Sequence, residues 1–342
     1  MTRERFRPPD HETESFLLTT VVGSYPRPAW LPEIEDAHAD GSVSDETLEE
    51  ALDDASRAVV NIFDRMELDV VTDGEVRREG MIEYFARFID NMEQDGGGDG
   101  TGWNTGMPTI VDEVSSSEPW LVDDYRFATS VTDCPVKVTV TGPFTLASFS
   151  QPQAYDDVGE LTADLAELVA AEAARLVDAG VEWIQIDEPG LGISPHSELA
   201  HESLSRIAEE VPDDVRLGVH VCSGNYDNLA PEMFSFPVDE VDLEFASDDA
   251  DDPADVLAEY DGSVDIGFGV VDPQDRDVDS LEVIRARIEE AVSIVPPEQL
   301  TITPDCGLKP VERPIARRKL ENMVEAVEAV ERAMDDGEIE TA

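Results

Sequence analysis

Trp183-Ile184-Gln185-Ile186-Asp187-Glu188-Pro189 is the stretch on which the fold turns. Trp183–Ile186 has the length and apolar character of a short buried strand, and two acids and a proline stop it. Just before it, Leu161–Ala179 carries its apolar residues at helical spacing. A helix that delivers the chain into a short apolar strand, itself ending in polar residues, is the repeating unit of a parallel α/β fold.

The same unit recurs on both sides. Strand candidates are Leu17–Val22, Asp69–Thr72, Val136–Thr141, Trp183–Ile186, Leu217–Val221, Val241–Phe245, Val264–Val271 and Leu300–Thr303. Amphipathic helices are expected over Leu161–Ala179, Glu202–Glu210, Leu281–Val295 and Ile315–Met334. Eight strands alternating with helices favour a closed TIM (β/α)8 barrel over an open sheet, and 342 residues suit one such domain. The expected barrel runs over 17–334, between an N-terminal extension, 1–16, and an acidic tail, 335–342, expected to fray. Gln94–Gly106, rich in Gly and Asp, reads as a mobile loop. Met107–Ser130 shows no clear helical period and is expected to form a small hairpin near the barrel mouth, so that 94–130 is a small inserted segment. A linker between separate domains is the alternative reading of that insert.

The composition excludes several classes of function. Asp and Glu number 79 against 23 Lys and Arg, a formal net charge of −56. Such a chain repels phosphate backbones and anionic membranes, so no nucleic-acid or membrane partner is expected. A disordered acidic protein is the alternative, but the regular apolar strands argue for a folded, halophilic protein whose acidic surface is screened in high salt. No apolar run of membrane-spanning length occurs, and the N-terminus lacks a signal-peptide stretch. Three cysteines, Cys134, Cys222 and Cys306, are too few for a disulfide framework, and a reducing cytoplasm is expected.

Polar residues gather where the strand candidates end: Gly23-Ser24, Asp73-Gly74-Glu75, Gly142-Pro143, Asp187-Glu188, His220-Val221-Cys222, Glu244, Asp272 and Asp305-Cys306-Gly307. In a parallel barrel those ends share the face on which active sites are built. His220 and Cys222, two apart on a strand, point the same way. Both are good zinc ligands, and Cys306 and Glu244 could complete a four-ligand set that suits zinc better than magnesium or calcium. Each residue also has a plainer reading. Asp187-Glu188-Pro189 could punctuate a strand end, Ser24 could cap a turn, and Glu75 could be one more surface acid. Cys134 reads as an ordinary buried thiol, and His11, His38, His196 and His201 as solvent-facing.

Taken in order, Val22-Gly23-Ser24-Tyr25-Pro26, Asp73-Gly74-Glu75, Thr141-Gly142-Pro143, Ile186-Asp187-Glu188-Pro189, His220-Val221-Cys222 and Pro304-Asp305-Cys306-Gly307-Leu308-Lys309 resemble the catalytic C-terminal half of cobalamin-independent methionine synthase. The resemblance runs from about Leu17 to about Met334. It implies a methyltransferase that places a methyl group on the thiol of L-homocysteine. It implies a catalytic Zn2+ held by His220, Cys222, Glu244 and Cys306. Homocysteine would be held through its amino and carboxylate ends by Ser24, the Val22-Gly23 backbone, Glu75 and Asp187.

Three departures bear on the methyl donor. The long family members carry an additional N-terminal barrel. Gln274 stands where they place a histidine proton donor, and Phe149 stands where they place a tryptophan against the folate ring. These departures favour a methyl-corrinoid protein as donor, with methyl-tetrahydrofolate or a related pterin as the other choice. A related barrel methyltransferase or decarboxylase acting on another thiol or a tetrapyrrole-linked substrate, and a non-catalytic zinc or amino-acid binding protein, are the competing functions.

Overall fold

The computed structural model of the chain describes residues 17–94, 107–222, 226–248 and 250–342. The N-terminal extension and nearly all of the glycine-rich stretch expected to be mobile lie outside these residues. In chain order the elements are β1 (Leu18–Thr19), α1 (Leu31–Ala39), α2 (Asp45–Arg65), α3 (Glu83–Ala86), β2 (Asp90–Glu93), β3 (Thr109–Ser115), α4 (Val122–Thr129), β4 (Lys137–Thr141), α5 (Pro143–Ser148), β5 (Gln151–Pro152), α6 (Val158–Asp178) and β6 (Trp183–Asp187). Then come α7 (Pro189–Ile193), α8 (Ser197–Ala208), β7 (Arg216–Val221), β8 (Glu240–Leu243), α9 (Pro253–Val256), β9 (Asp265–Val271), α10 (Leu281–Ile294), β10 (Leu300–Pro304) and α11 (Arg313–Asp335).

Seven strands form one parallel sheet in the order β1-β10-β9-β8-β7-β6-β4. The eighth position belongs to Asp69–Thr72, which closes the ring without being a full strand. Val70 N–H donates to Thr19 O at 3.2 Å on one side, and Val71 forms a parallel bridge to Val136 on the other. The first two expected strands are thus reduced, one to two residues and one to a single bridge. The cause is side-chain competition for the ladder. The Asp69 carboxylate takes the Thr19 N–H at 2.8 Å, and Thr72 Oγ1 donates to Gly23 O at 2.8 Å.

The helices begin where caps allow. Ser44 Oγ accepts from Thr47 N–H at the start of α2, and Asp157 Oδ1 accepts from Gly159 and Glu160 N–H at the start of α6. Helix α2 buries Leu52, Ala55, Val59 and Phe63 on one face. The sequence reading named neither α1 nor α2, and it started α8 five residues late. The insert also differs from expectation. Within 107–130 there is one strand, β3, and one helix, α4; the antiparallel partner of β3 is β2, upstream, and β5 pairs with β3 in parallel. The tail does not hang free: Ala342 N–H donates to Val292 O at 2.9 Å and Ile339 packs against the core.

Branched apolar side chains commonly fill such a barrel, but here the interior is largely polar. Arg216 reaches Glu240 at 2.7 Å and Asp265 at 2.8 Å, all buried, and its guanidinium lies 4.7 Å from the Trp183 ring centroid. Thr301 Oγ1 donates to Glu240 at 2.6 Å, from a strand two places away. Gly267, on the strand between, permits such crossings: a Cβ there would lie 2.4 Å from Asp242 Oδ1. All three lysines are engaged. Lys137 and Lys319 are buried, the latter 2.6 Å from Asp279, and half-buried Lys309 donates to the carbonyls of Arg78 and Glu79. No helix among the described residues is long and apolar enough to cross a membrane.

Candidate metal and amino-acid site

His220 lies near the end of β7, its Nδ1 2.9 Å from Asp242 Oδ2 on β8. Thr303 Oγ1, on β10, donates to the other Asp242 oxygen at 3.0 Å. An ionised carboxylate only accepts, so Nδ1 carries a hydrogen and Nε2 is the ring nitrogen left for another partner. That Nε2 is buried and has no hydrogen-bond partner in the protein. Beside it the Cys222 and Cys306 sulfurs are 3.7 Å apart, and the three ligand atoms of His220, Cys222 and Cys306 all lie within 4.8 Å of one another. The Cys222 hydrogen bond holds the Cys306 thiol well below its ordinary pKa against the effect of burial, with His220 contributing. The same bond, with burial, pushes Cys222 up. An orphaned imidazole nitrogen facing two thiols is a donor set that fits zinc.

Glu244, expected as a fourth ligand, does not belong to that mutually close set. It follows β8, buried, with its N–H on Tyr226 Oη at 2.9 Å and its carboxylate accepting from Ser247 Oγ at 3.4 Å. Its charge still raises the Cys222 thiol. Asp305 secures the loop after it, accepting from the N–H groups of Phe245, Ala246 and Ser247 at 2.7 to 3.1 Å. Burial carries Asp305 up to about 8 despite those bonds. Tyr226 Oη, which also donates to Val221 O at 2.8 Å, links the ends of β7 and β8.

The residues expected to hold an amino acid converge on the same end of the barrel. Glu75 sits at φ 53° after Gly74 at φ 70°. A left-handed glutamate is strained, and such strain persists where neighbours enforce it. Thr139 Oγ1 donates to Glu75 Oε1 at 2.8 Å, and buried Arg78 lies 3.6 Å from that oxygen. Gly23 packs against the same carboxylate: a Cβ there would lie 2.2 Å from Glu75 Oε1. Ser24 is pinned by its carbonyl, which accepts from Leu308 N–H at 2.8 Å, and its hydroxyl lies against Gly307. Asp187 Oδ1 accepts from Gln185 Nε2 at 2.7 Å, and that amide also donates to Val22 O at 3.1 Å. Burial raises Asp187 to about 7, the His220 charge opposing and the Glu75 charge adding to the rise.

Glu188 takes the plainer role. Its carboxylate caps α5 by accepting from Phe144 N–H, Thr145 N–H and Thr145 Oγ1 at 2.6 to 3.0 Å. Gln274 is exposed after β9, and Phe149 ends α5 half-buried against the core. His38, His196 and His201 stand apart from the His–Cys cluster. Sequence reasoning missed Asp242, Gln185, Thr139, Arg78 and Tyr226. A signal existed for the first: Glu240, Asp242 and Glu244 alternate along a strand inside an apolar stretch, which places three acids on one buried face.

A parallel barrel with a thiol–imidazole cluster and carboxylates gathered at the C-terminal strand ends, the face on which barrel enzymes carry their sites, points to the class: a barrel enzyme. Comparison with known proteins narrows it. The family model described as "Cobalamin-independent synthase, Catalytic domain" matches residues 17–329. A methionine synthase of Saccharolobus solfataricus is 37% identical over 323 residues, covering 92% of this chain and 95% of the relative. One of Sulfurisphaera tokodaii is 35% identical, covering 92% of each. Among solved structures, a B12-independent methionine synthase from Shewanella sp. W3-18-1 in complex with selenomethionine superposes with a TM-score of 0.80 at 21% identity, covering 94% of this chain and 99% of that one. The chain belongs to the cobalamin-independent methionine synthase family, as a methyltransferase built on its catalytic barrel. That family's independence of cobalamin overturns the methyl-corrinoid protein expected as donor. The expectation rested on Gln274, Phe149 and the additional N-terminal barrel of the long members, and none of these is evidence for a cobalt-bound methyl.

Proposed function

We propose that the protein transfers a methyl group from a methyl-tetrahydrofolate or related methyl-pterin to the thiol of L-homocysteine, giving L-methionine, with Zn2+ at the His–Cys cluster. The observation that carries this reading is the buried, unpartnered His220 Nε2 facing Cys222 and Cys306. His220, Cys222 and Cys306 would hold the ion, with Glu244 as an exchangeable fourth ligand, and bound there it supplies the acidity that keeps a coordinating thiol deprotonated. Glu75 and Asp187 face the amino acid with carboxylates suited to its ammonium group. Ser24 and the Val22-Gly23 backbone suit its carboxylate. Gln274 has no titrating group, so the proton for the departing pterin amine comes from water or another acid. Three free thiols accord with a reducing, cytoplasmic setting.

The test loads the protein with zinc and supplies homocysteine with methyl-tetrahydrofolate. Methionine is expected to form, with about one zinc per chain. Cys306→Ser is expected to stay folded, because the barrel core does not involve this thiol, while losing most of its zinc and its activity. Stoichiometric zinc in that variant would refute the assignment.

A further inference from the structure

Gln185 lies inside the barrel on β6, 1% exposed. Its Oε1 accepts from Lys137 Nζ at 2.5 Å. Its Nε2 donates to Val22 O at 3.1 Å and to Asp187 Oδ1 at 2.7 Å. The amide therefore joins β6 to the chain just beyond β1, and these strands are not neighbours in the sheet. It also ties together two parts of the amino-acid site, the loop that leads into Gly23-Ser24 and the carboxylate of Asp187.

The direction of this chain of bonds is set by chemistry. An ammonium group has donors and no acceptor, so the Gln185 carbonyl must face Lys137. The amide NH2 is then turned the other way, where both of its neighbours are acceptors. Were the amide reversed, two donors would meet at Lys137, and an oxygen would meet a carbonyl and a carboxylate. Lys137 itself is buried and sits 5.2 Å from the Trp183 ring centroid, so it has little freedom to move away. With Oδ1 of Asp187 occupied by Gln185, that carboxylate is fixed in rotation.

We propose that Gln185, oriented by Lys137, is a positioning residue for the amino-acid end of the substrate: it aims Asp187 at the ligand's ammonium group and pins the Val22-Gly23-Ser24 loop. The proposal rests on the reading of the site as a homocysteine site, and its test separates the two. Binding is measured on the zinc-loaded protein with two probes, homocysteine and propanethiol, which keeps the thiol and lacks the amino-acid end. Gln185→Glu preserves size and the contact with Lys137 but turns an oxygen toward Val22 O and Asp187. Its homocysteine affinity is expected to fall about 10- to 100-fold, the range for losing hydrogen bonds to a charged group, while propanethiol affinity and zinc content stay at wild-type values. Lys137→Met frees the amide to reverse and is expected to weaken homocysteine about 3- to 10-fold, a part of the same loss, again sparing propanethiol. This variant also keeps the proposal testable should Gln185→Glu fail to fold. Unchanged homocysteine affinity in either folded variant overturns the proposal. An equal loss for both probes also overturns it, because the effect then lies at the metal. If the wild-type protein binds propanethiol as well as homocysteine, the homocysteine reading itself has failed.

Discussion

Asp242 and His220 show how a single carboxylate can fix the orientation of a buried imidazole. By accepting the Nδ1 hydrogen, Asp242 leaves Nε2, the atom that faces the thiols, as the nitrogen that gains or loses a proton. Burial alone would lower the histidine, but the adjacent Asp242 charge and hydrogen bond outweigh it and raise His220, so a cation entering at Nε2 would displace a proton there. Asp242→Ala is expected to cost about 10- to 100-fold in zinc affinity, the usual penalty for losing such a partner. Asp242→Asn, whose carbonyl can still accept from Nδ1, should recover part of it. Competition with a chelator of known affinity measures both, and equal affinities in all three proteins would show that Asp242 does not set the tautomer. At this scale the sequence was legible where two clustered side chains lay close along the chain, as His220 and Cys222 do. It was not legible for Gln185 or Thr139, whose importance comes from partners that only barrel closure brings near.

Helix α4 shows what a docked element does to its own charges. Asp124, in its first turn, accepts from Tyr84 Oη at 2.9 Å and lies 3.4 Å from Arg77 Nε. Burial raises it to about 6, the nearby Asp73 charge adding to the rise while Tyr84, Arg77 and Arg78 oppose it. An acid whose pKa is higher folded than unfolded holds its proton more tightly in the native state. Stability therefore falls as pH climbs from the ordinary value of 3.8 toward about 6. Asp124→Asn removes that titration, so its stability relative to wild type should rise by on the order of 2 kcal/mol between about pH 4 and about pH 6.5. Denaturant melts across that interval check it, and a constant difference would contradict the assignment. The elements themselves were legible where apolar runs were long and caps plain, as in β6, β7, β9 and α6. Strand β3 was obscured because its partner β2 lies on the far side of the glycine-rich stretch. Asp69–Thr72 read as a strand because its side chains follow strand pattern, although the Asp69 carboxylate displaces a ladder bond.

Over the whole molecule, the net charge of −56 is the largest electrostatic quantity. Its self-repulsion acts over a Debye length of about 30 Å at 0.01 M salt and about 3 Å at 1 M. Opposite charges are placed to limit it locally: Arg206 reaches Glu167 and Glu210 at 2.9 Å, and Arg77 reaches Glu49 at 2.8 Å. Such surface pairs contribute little individually, so screening must do the rest. The thermal midpoint is expected to rise steadily from about 0.05 M to about 3 M salt. A flat profile would remove the case for adaptation to high salt. Charge was fully legible in the sequence, whereas the buried column of Arg216, Glu240 and Asp265 was not. The alternation of Glu240, Asp242 and Glu244 marks an inward face, but in a chain with 79 acids nothing local pairs Glu240 with Arg216 or turns Asp265 inward.

The placement of the three lysines has a practical consequence. Lys137 is sealed in the barrel, Lys319 is sealed against Asp279, and Lys309 is bonded to two carbonyls. Side-chain amines are the usual handles for dyes, crosslinkers and immobilisation resins. Here those reagents find no fully exposed lysine, and the one within partial reach is next to Leu308, which bonds the Ser24 carbonyl, so labelling chemistry for this protein is better directed at carboxylates.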